Sequence, residues 1–230
     1  SGKDGWYSAI DIQALKQIWG ESKTTMIFPI AKGNGFFSAG QYTKLFIDEN
    51  YSNTIFGALD SDNSGIVVND KRAWQISSLE IGTDTLTGFK RIEFNDGVLA
   101  LDIDAGDTAG QAYRLYQAAF ARTPDMSGVS YHMNDMENNG LALENVANNF
   151  IASPEFKTKY GENTSDDDFI NLLYQNVLGR APDDSGLAFY KNHFNEGTMT
   201  RAAALIGFAE SPENIALVGP QIEDGIWLAS

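Results

Sequence analysis

Leu115–Gly128 reads LYQAAFARTPDMSG and Leu173–Gly186 reads LYQNVLGRAPDDSG, one phrase written twice at an offset of 58 residues. The offset holds without a gap to Ser153-Pro-Glu155 and Ser211-Pro-Glu213, and thirteen positions between 115 and 155 are identical to their partners. A fixed period of this size marks a repeat architecture. In the first copy Ala112, Leu115, Tyr116, Ala119 and Phe120 fall at i, i+3, i+4, i+7 and i+8; Ile170, Leu173, Tyr174, Val177 and Leu178 repeat the stripe. That spacing predicts an amphipathic helix in each copy. Arg-x-Pro-Asp-x-Ser-Gly then closes it, because proline cannot continue a helix. Asp125 and Asp183 stand where a carboxylate caps the next helix. Arg122 and Arg180 stand where a guanidinium satisfies terminal carbonyls, with the docking of an anionic glycan or a partner's carboxylate as the functional alternative. Two more apolar helical stripes follow in each copy, and Ser153 or Ser211 caps a short fourth helix, with proline at its first position.

Outward from this phrase, the chain changes texture. Residues 24–103 carry short apolar runs (TTMIFPI, GNGFFSAG, NTIFGAL, IVVND, AWQISSLEI) broken by Gly, Asn, Asp and Ser, which read as strands and turns. RIEF and VLALDI flank Asn95-Asp96-Gly97, a hairpin in which Asp-Gly is expected to supply positive φ. Before them, Ser8-Ala-Ile-Asp11 resembles a capping box, and Ile12, Leu15, Ile18 and Trp19 predict one short helix. The expected fold class is therefore α+β: a small β-rich domain with one N-terminal helix over 1–104, then a helical bundle domain over 105–230 made of two repeats, about 112–161 and 170–219.

The totals narrow the function. Of 230 residues, 31 are acidic and 16 basic, a net charge of −15 that disfavours nucleic acid and anionic membrane as partners. With no cysteine there are no disulfides, thiolate metal sites or cysteine nucleophiles. No apolar run reaches the roughly 18 residues a membrane span needs. Ser1-Gly2 without a methionine reads as the start of a piece of something longer.

Candidate metal ligands form two groups. Asp60-Ser-Asp62-Asn-Ser64-Gly65-Ile66 copies the first half of a calcium loop: Asp60, Asp62 and Ser64 offer side-chain oxygens and Ile66 its carbonyl. Its second half departs from the pattern, with Lys71 where a bidentate Glu belongs and Asp70 beside it. Ordinary turn chemistry explains the same residues. Asp102, Asp104 and Asp107 gather three carboxylates where strand gives way to helix, a place where acidic residues also serve helix starts. Any calcium site here is expected to be weak. No nucleophile, base and orienting group occur together: the two histidines, His132 and His193, align with Tyr190 and Asp135 under the offset, and neither a phosphate loop nor a zinc spacing is present.

The phrase LYQNVLGRAPDDSGLAFY, followed by an apolar helix and FAESPEN, resembles the helical domain of unassigned function found in many large secreted bacterial proteins. Many of those carry hemolysin-type (RTX) calcium-binding repeats, and some form surface layers or adhesins. The pattern is also distantly similar to the phycobilisome rod linker domain, an assembly module. Residues 82–120 resemble the β-rich segment that commonly precedes this domain, so the resemblance covers about 80–230. It implies an extracellular or cell-surface bacterial protein with a non-catalytic role in attachment, assembly or export. It further implies type I secretion, with the apolar tail at 225–230 as an uncleaved signal; docking of that tail onto the helical bundle is the alternative. Surface polysaccharide or another copy of the protein is the expected partner. A carbohydrate-binding module and, last, an extracellular hydrolase are the rival functions.

Overall fold

A computed structural model describes residues 25–27, 35–39, 44–58, 67–68 and 71–229. The predicted N-terminal helix and the half calcium loop at 60–66, with Asp70, lie outside these residues. The class is α+β: among the described residues nine strands precede eight α-helices and a tenth strand follows them. Two compact units divide the chain, one formed by residues 1–102 and 223–230, the other by 103–222.

The β unit contains two sheets. In the first, β1 (Thr25–Ile27), β3 (Lys44–Phe46), β8 (Arg91–Phe94), β9 (Gly97–Ala100) and β10 (Ile226–Ala229) lie in the order β1-β3-β8-β9-β10. The β1–β3 and β3–β8 pairs are parallel, and the β8–β9 and β9–β10 pairs antiparallel. In the second, β2 (Phe36–Ser38), β7 (Gly82–Thr87), β6 (Lys71–Ser78) and β4 (Ile55–Ala58) follow the order β2-β7-β6-β4, and the two-residue β5 (Val67–Val68) also pairs with β6. Apolar residues alternate inward on these strands, so Leu45, Ile76, Leu86, Ile92 and Leu99 are buried.

Two sequence expectations need correction in this unit. The β8–β9 turn residues are Asn95 and Asp96, and neither has positive φ, since Ala121 is the one non-glycine residue among those described that does; the φ of Gly97 is positive at 158°, but extended and not the left-handed value of a tight turn. Gly97 instead opens β9, where an added Cβ would meet Leu228 O at 2.5 Å and the Trp227 ring at 2.7 Å. The glycine admits the neighbouring strand β10. Residues 223–230, expected in the helical domain, belong to the β unit: Ile226 pairs with Ala100 and Ala229 with Gly97. The physical reason is Trp227, which stacks on Tyr51 at 4.3 Å and meets Phe94 edge-on at 6.0 Å, while β10 also supplies the ladder bonds that β9 lacks on that edge.

In the helical unit, α1 (Thr108–Phe120), α2 (Met126–Asn138), α3 (Leu143–Ala152) and α4 (Pro154–Tyr160) precede α5 (Asp166–Leu178), α6 (Asp184–Asn195), α7 (Arg201–Ala209) and α8 (Pro212–Ile222). Leu115, Phe120, Val146, Phe150, Phe169, Leu173, Val177, Leu205 and Phe208 share one apolar core. Here α1 is buried nearly all round, whereas α5 keeps an exposed face. No helix among the described residues is long and apolar enough to cross a membrane.

Candidate functional site

The residues shared by the two phrases meet around a tyrosine. Helix α1 ends at Phe120 with Ala121 in the left-handed region, and Arg122 turns back over Tyr116, its guanidinium 5.1 Å from the ring centre. Arg122 Nε and Nη2 donate to the Glu155 carboxylate at 2.7 and 3.3 Å, and Nη2 also donates to the Tyr116 hydroxyl at 3.0 Å. That hydroxyl donates in turn to Asp125, whose other oxygen accepts from the Gly128 amide at 2.7 Å and from Ser127 at 3.0 Å. In the second phrase Arg180 lies 5.0 Å from the Tyr174 ring centre and bonds Glu213 at 2.7 and 2.8 Å. Asp183 accepts from Gly186 at 2.8 Å and Ser185 at 2.6 Å. Ser153 and Ser211 accept from Phe156 and Asn214, both at 3.2 Å.

These contacts give each residue of the motif a local duty. Asp125 and Asp183 cap α2 and α6. Arg122 and Arg180 donate once to the following carbonyl, Thr123 O or Ala181 O at 3.2 Å, but their main partner is a glutamate 33 residues on, in the first turn of the next short helix. The carboxylate expected from a docking partner is thus supplied within the chain. The two glycines follow from the tyrosines: a Cβ at Gly128 would lie 2.6 Å from the Tyr116 ring, and one at Gly186 would collide with the Tyr174 hydroxyl.

The electrostatics follow from these bonds. The Tyr116 hydroxyl and Gly128 amide hold the Asp125 carboxyl down at about 2, which leaves it a poor base at neutral pH. Ser185 and Gly186 likewise lower Asp183, and burial raises Tyr116 and Tyr174. Burial also lowers His132, whose Nδ1 has no hydrogen-bond partner and whose ring meets Phe150 edge-on at 4.6 Å.

The three aspartates at the strand-to-helix junction do not converge. Asp102 is buried and pairs with the equally buried Arg91. Asp104 offers its carbonyl to Arg114 at 3.1 Å and to the Asp107 amide at 3.1 Å, and Asp107 precedes α1. Among the described residues no group of three or more His, Asp or Glu is placed to hold a metal ion. The calcium-type set Asp60, Asp62, Ser64, Ile66 and Asp70 lies outside them.

A second network had no sequence signal. Arg114, fully buried, bonds Glu210 through Nε at 2.6 Å and Nη2 at 2.9 Å, and reaches the Ile103 carbonyl at 2.7 Å. Gly110 makes room for it, since a Cβ there would sit 2.5 Å from Ile103 O. Under the offset Arg114 corresponds to Leu172 and Glu210 to Ala152, so the repeat comparison hides this pair. Tyr116, Glu155 and their counterparts did carry a signal, their identity in both copies.

The family described as a domain of unknown function (DUF4214) matches residues 147–218, from within α3 to within α8. This is narrower than the span of the resemblance drawn from the sequence. No curated protein matches the chain.

Proposed function

We propose that this chain is a non-catalytic attachment, assembly or export module of a secreted or cell-surface bacterial protein, and that its helical unit is a tandem duplicate. The observation that carries the reading is the fate of the shared polar residues. Arg122 and Arg180, Asp125 and Asp183, and Glu155 and Glu213 are engaged in holding helices together. What the unit presents outward is a rigid helical surface. The duplication draws support from the same bonds recurring at both ends of the 58-residue offset. The acidic balance fits an extracellular partner that is not a polyanion, either a surface polysaccharide or another copy of the protein. A hydrolase ranks last, because the sequence brings no nucleophile, base and orienting group together. Sedimentation of the full chain with bacterial cell envelopes tests attachment; recovery entirely in the supernatant, with no self-association, removes it. Calcium is the weakest part of the reading: identical unfolding curves in millimolar calcium and in chelator eliminate it. An experimental structure in which Leu115–Glu155 and Leu173–Glu213 fail to superpose eliminates the duplication.

A further inference from the structure

Two exposed rings occupy the same place in the two phrases. Tyr131 on α2 is 62% exposed and Phe189 on α6 is 49% exposed, and they are separated by the 58-residue offset. Neither swings freely: Tyr131 meets His132 edge-on at 5.1 Å, and Phe189 meets Tyr190 at 5.2 Å and His193 at 4.4 Å. One turn on, along the same helix face, each ring is followed by an exposed asparagine, Asn134 or Asn192. This asparagine is identical in both copies, yet it caps no helix and enters no core. Asn134 Oδ1 accepts from Asn138 Nδ2 at 2.8 Å, which fixes the amide and leaves the Asn134 amino group with donors to spare.

The surroundings select the occupant. A protein hot spot needs apolar neighbours that shut out water around the anchoring ring, but beside Tyr131 the exposed residues are Ser127, Ser130, Asn134 and Asn138. Helix α2 contains no lysine or arginine, the lysine of α6, Lys191, is paired with Asp167 at 2.5 Å, and the chain carries −15, so an anionic polymer finds little counter-charge at either ring. An uncharged pyranose satisfies both halves of the surface: its C–H face covers a ring, and its vicinal hydroxyls pair with an amide.

We propose that the aromatic–amide stripes of α2 and α6 bind an uncharged polysaccharide, with Tyr131 and Phe189 each packed against one sugar ring and Asn134 and Asn192 bonded to its hydroxyls. The proposal rests on the reading of the chain as an attachment module and names the partner class.

The test titrates the full chain with neutral hexasaccharides of glucose, mannose, galactose, xylose and N-acetylglucosamine, with hexagalacturonate as the anionic control, and follows the ring resonances of Tyr131 and Phe189. At least one neutral sugar is expected to shift both rings and the galacturonate neither. Tyr131→Ala and Phe189→Ala each weaken that binding about tenfold, and Asn134→Ala weakens it with the fold intact. Lys157→Ala, exposed on α4, changes nothing. Silence from every neutral hexasaccharide, equal binding of the galacturonate, or undiminished binding by the double variant Tyr131→Ala/Phe189→Ala overturns the proposal. Envelope sedimentation separates the two claims. If the double variant sediments as well as the parent, attachment stands and the stripes are not its cause; if the parent stays in solution and binds no sugar, both fall.

Discussion

The repeat contains its own control on backbone strain. Helix α1 ends at Ala121 with φ 49° and ψ 43°, and α5 ends at the equivalent Gly179 with φ 68° and ψ 18°. Both are left-handed, a region that costs a side-chain-bearing residue about 1–2 kcal/mol and glycine nothing. The Ala121 amide still closes its turn on Gln117 O at 2.7 Å, so the strained shape is held by the fold. Ala121→Gly therefore relieves that strain and loses part of the gain to the greater freedom of glycine in the unfolded chain, about 0.4–1 kcal/mol. The net expectation is a stabilisation of about 0.5–1 kcal/mol. Gly179→Ala is the mirror experiment. A Cβ there meets nothing within 4 Å, so the change acts through the backbone alone and costs about 1 kcal/mol. Thermal melts of the two single variants should move in opposite directions, by roughly 2–4 °C per kcal/mol for a chain of this size. If Ala121→Gly melts lower than the parent, or Gly179→Ala melts higher, the assignment of left-handed caps to both helices is wrong.

Four further outcomes are expected. Gly128→Ala should destabilise by about 1–3 kcal/mol through the Tyr116 clash, whereas Gly207→Ala in α7, where the new Cβ meets the Tyr190 hydroxyl at an ordinary 3.6 Å, should stabilise by about 0.5–1 kcal/mol; urea titrations of both variants compare them, and matching signs refute the packing account. Asp84, buried with Oδ2 unpartnered, has its carboxyl raised above the ordinary 3.8 by desolvation. Its charge therefore costs stability at neutral pH, a cost removed as pH falls through the folded pKa toward 3.8, so Asp84→Asn should melt higher at pH 7 and lose that advantage near about pH 4. His132, lowered by burial from 6.5, stays neutral in the fold, and stability declines as pH falls below 6.5 toward its folded value. His132→Tyr, which copies Tyr190 of the second phrase, should flatten the melting temperature between pH 7.5 and 5. Finally, Asp102→Asn takes the buried carboxylate from Arg91 and should cost about 3–5 kcal/mol by chemical denaturation, equally with calcium and with chelator; a loss seen only in calcium would return Asp102 to the metal reading.

What the sequence made legible was local. Helical stripes such as Leu115-Tyr116-Ala119-Phe120 announce themselves because one face must be buried at a period of 3.6, and Asp125 and Ser153 sit beside the amides they cap. The strand runs were readable as short apolar stretches broken by Gly, Asn, Asp and Ser. Long-range demands were not. Gly97 looks like a turn residue until Trp227 arrives against it, and nothing in GIWLAS distinguishes an edge strand from an apolar tail. Arg114 reads as one more exposed cation on a helix; its burial depends on Glu210, 96 residues away. At the candidate site the repeat comparison marked Arg122 and Arg180, and Glu155 and Glu213, by their identity in both copies, but not that they pair, because a guanidinium beside a helix end suits terminal carbonyls and distant glutamates equally well.

The placement of β10 bears on the order in which the molecule forms. The strand that completes the first sheet lies beyond the whole helical unit in sequence, yet its hydrogen bonds are to β9. A ribosome therefore releases β9 long before its neighbour exists, and the exposed edge must wait while eight helices are made. Pairings of such sequence separation are slow to form, and an unpaired edge invites foreign strands meanwhile. The helices, whose contacts join segments nearer in sequence, need no such wait.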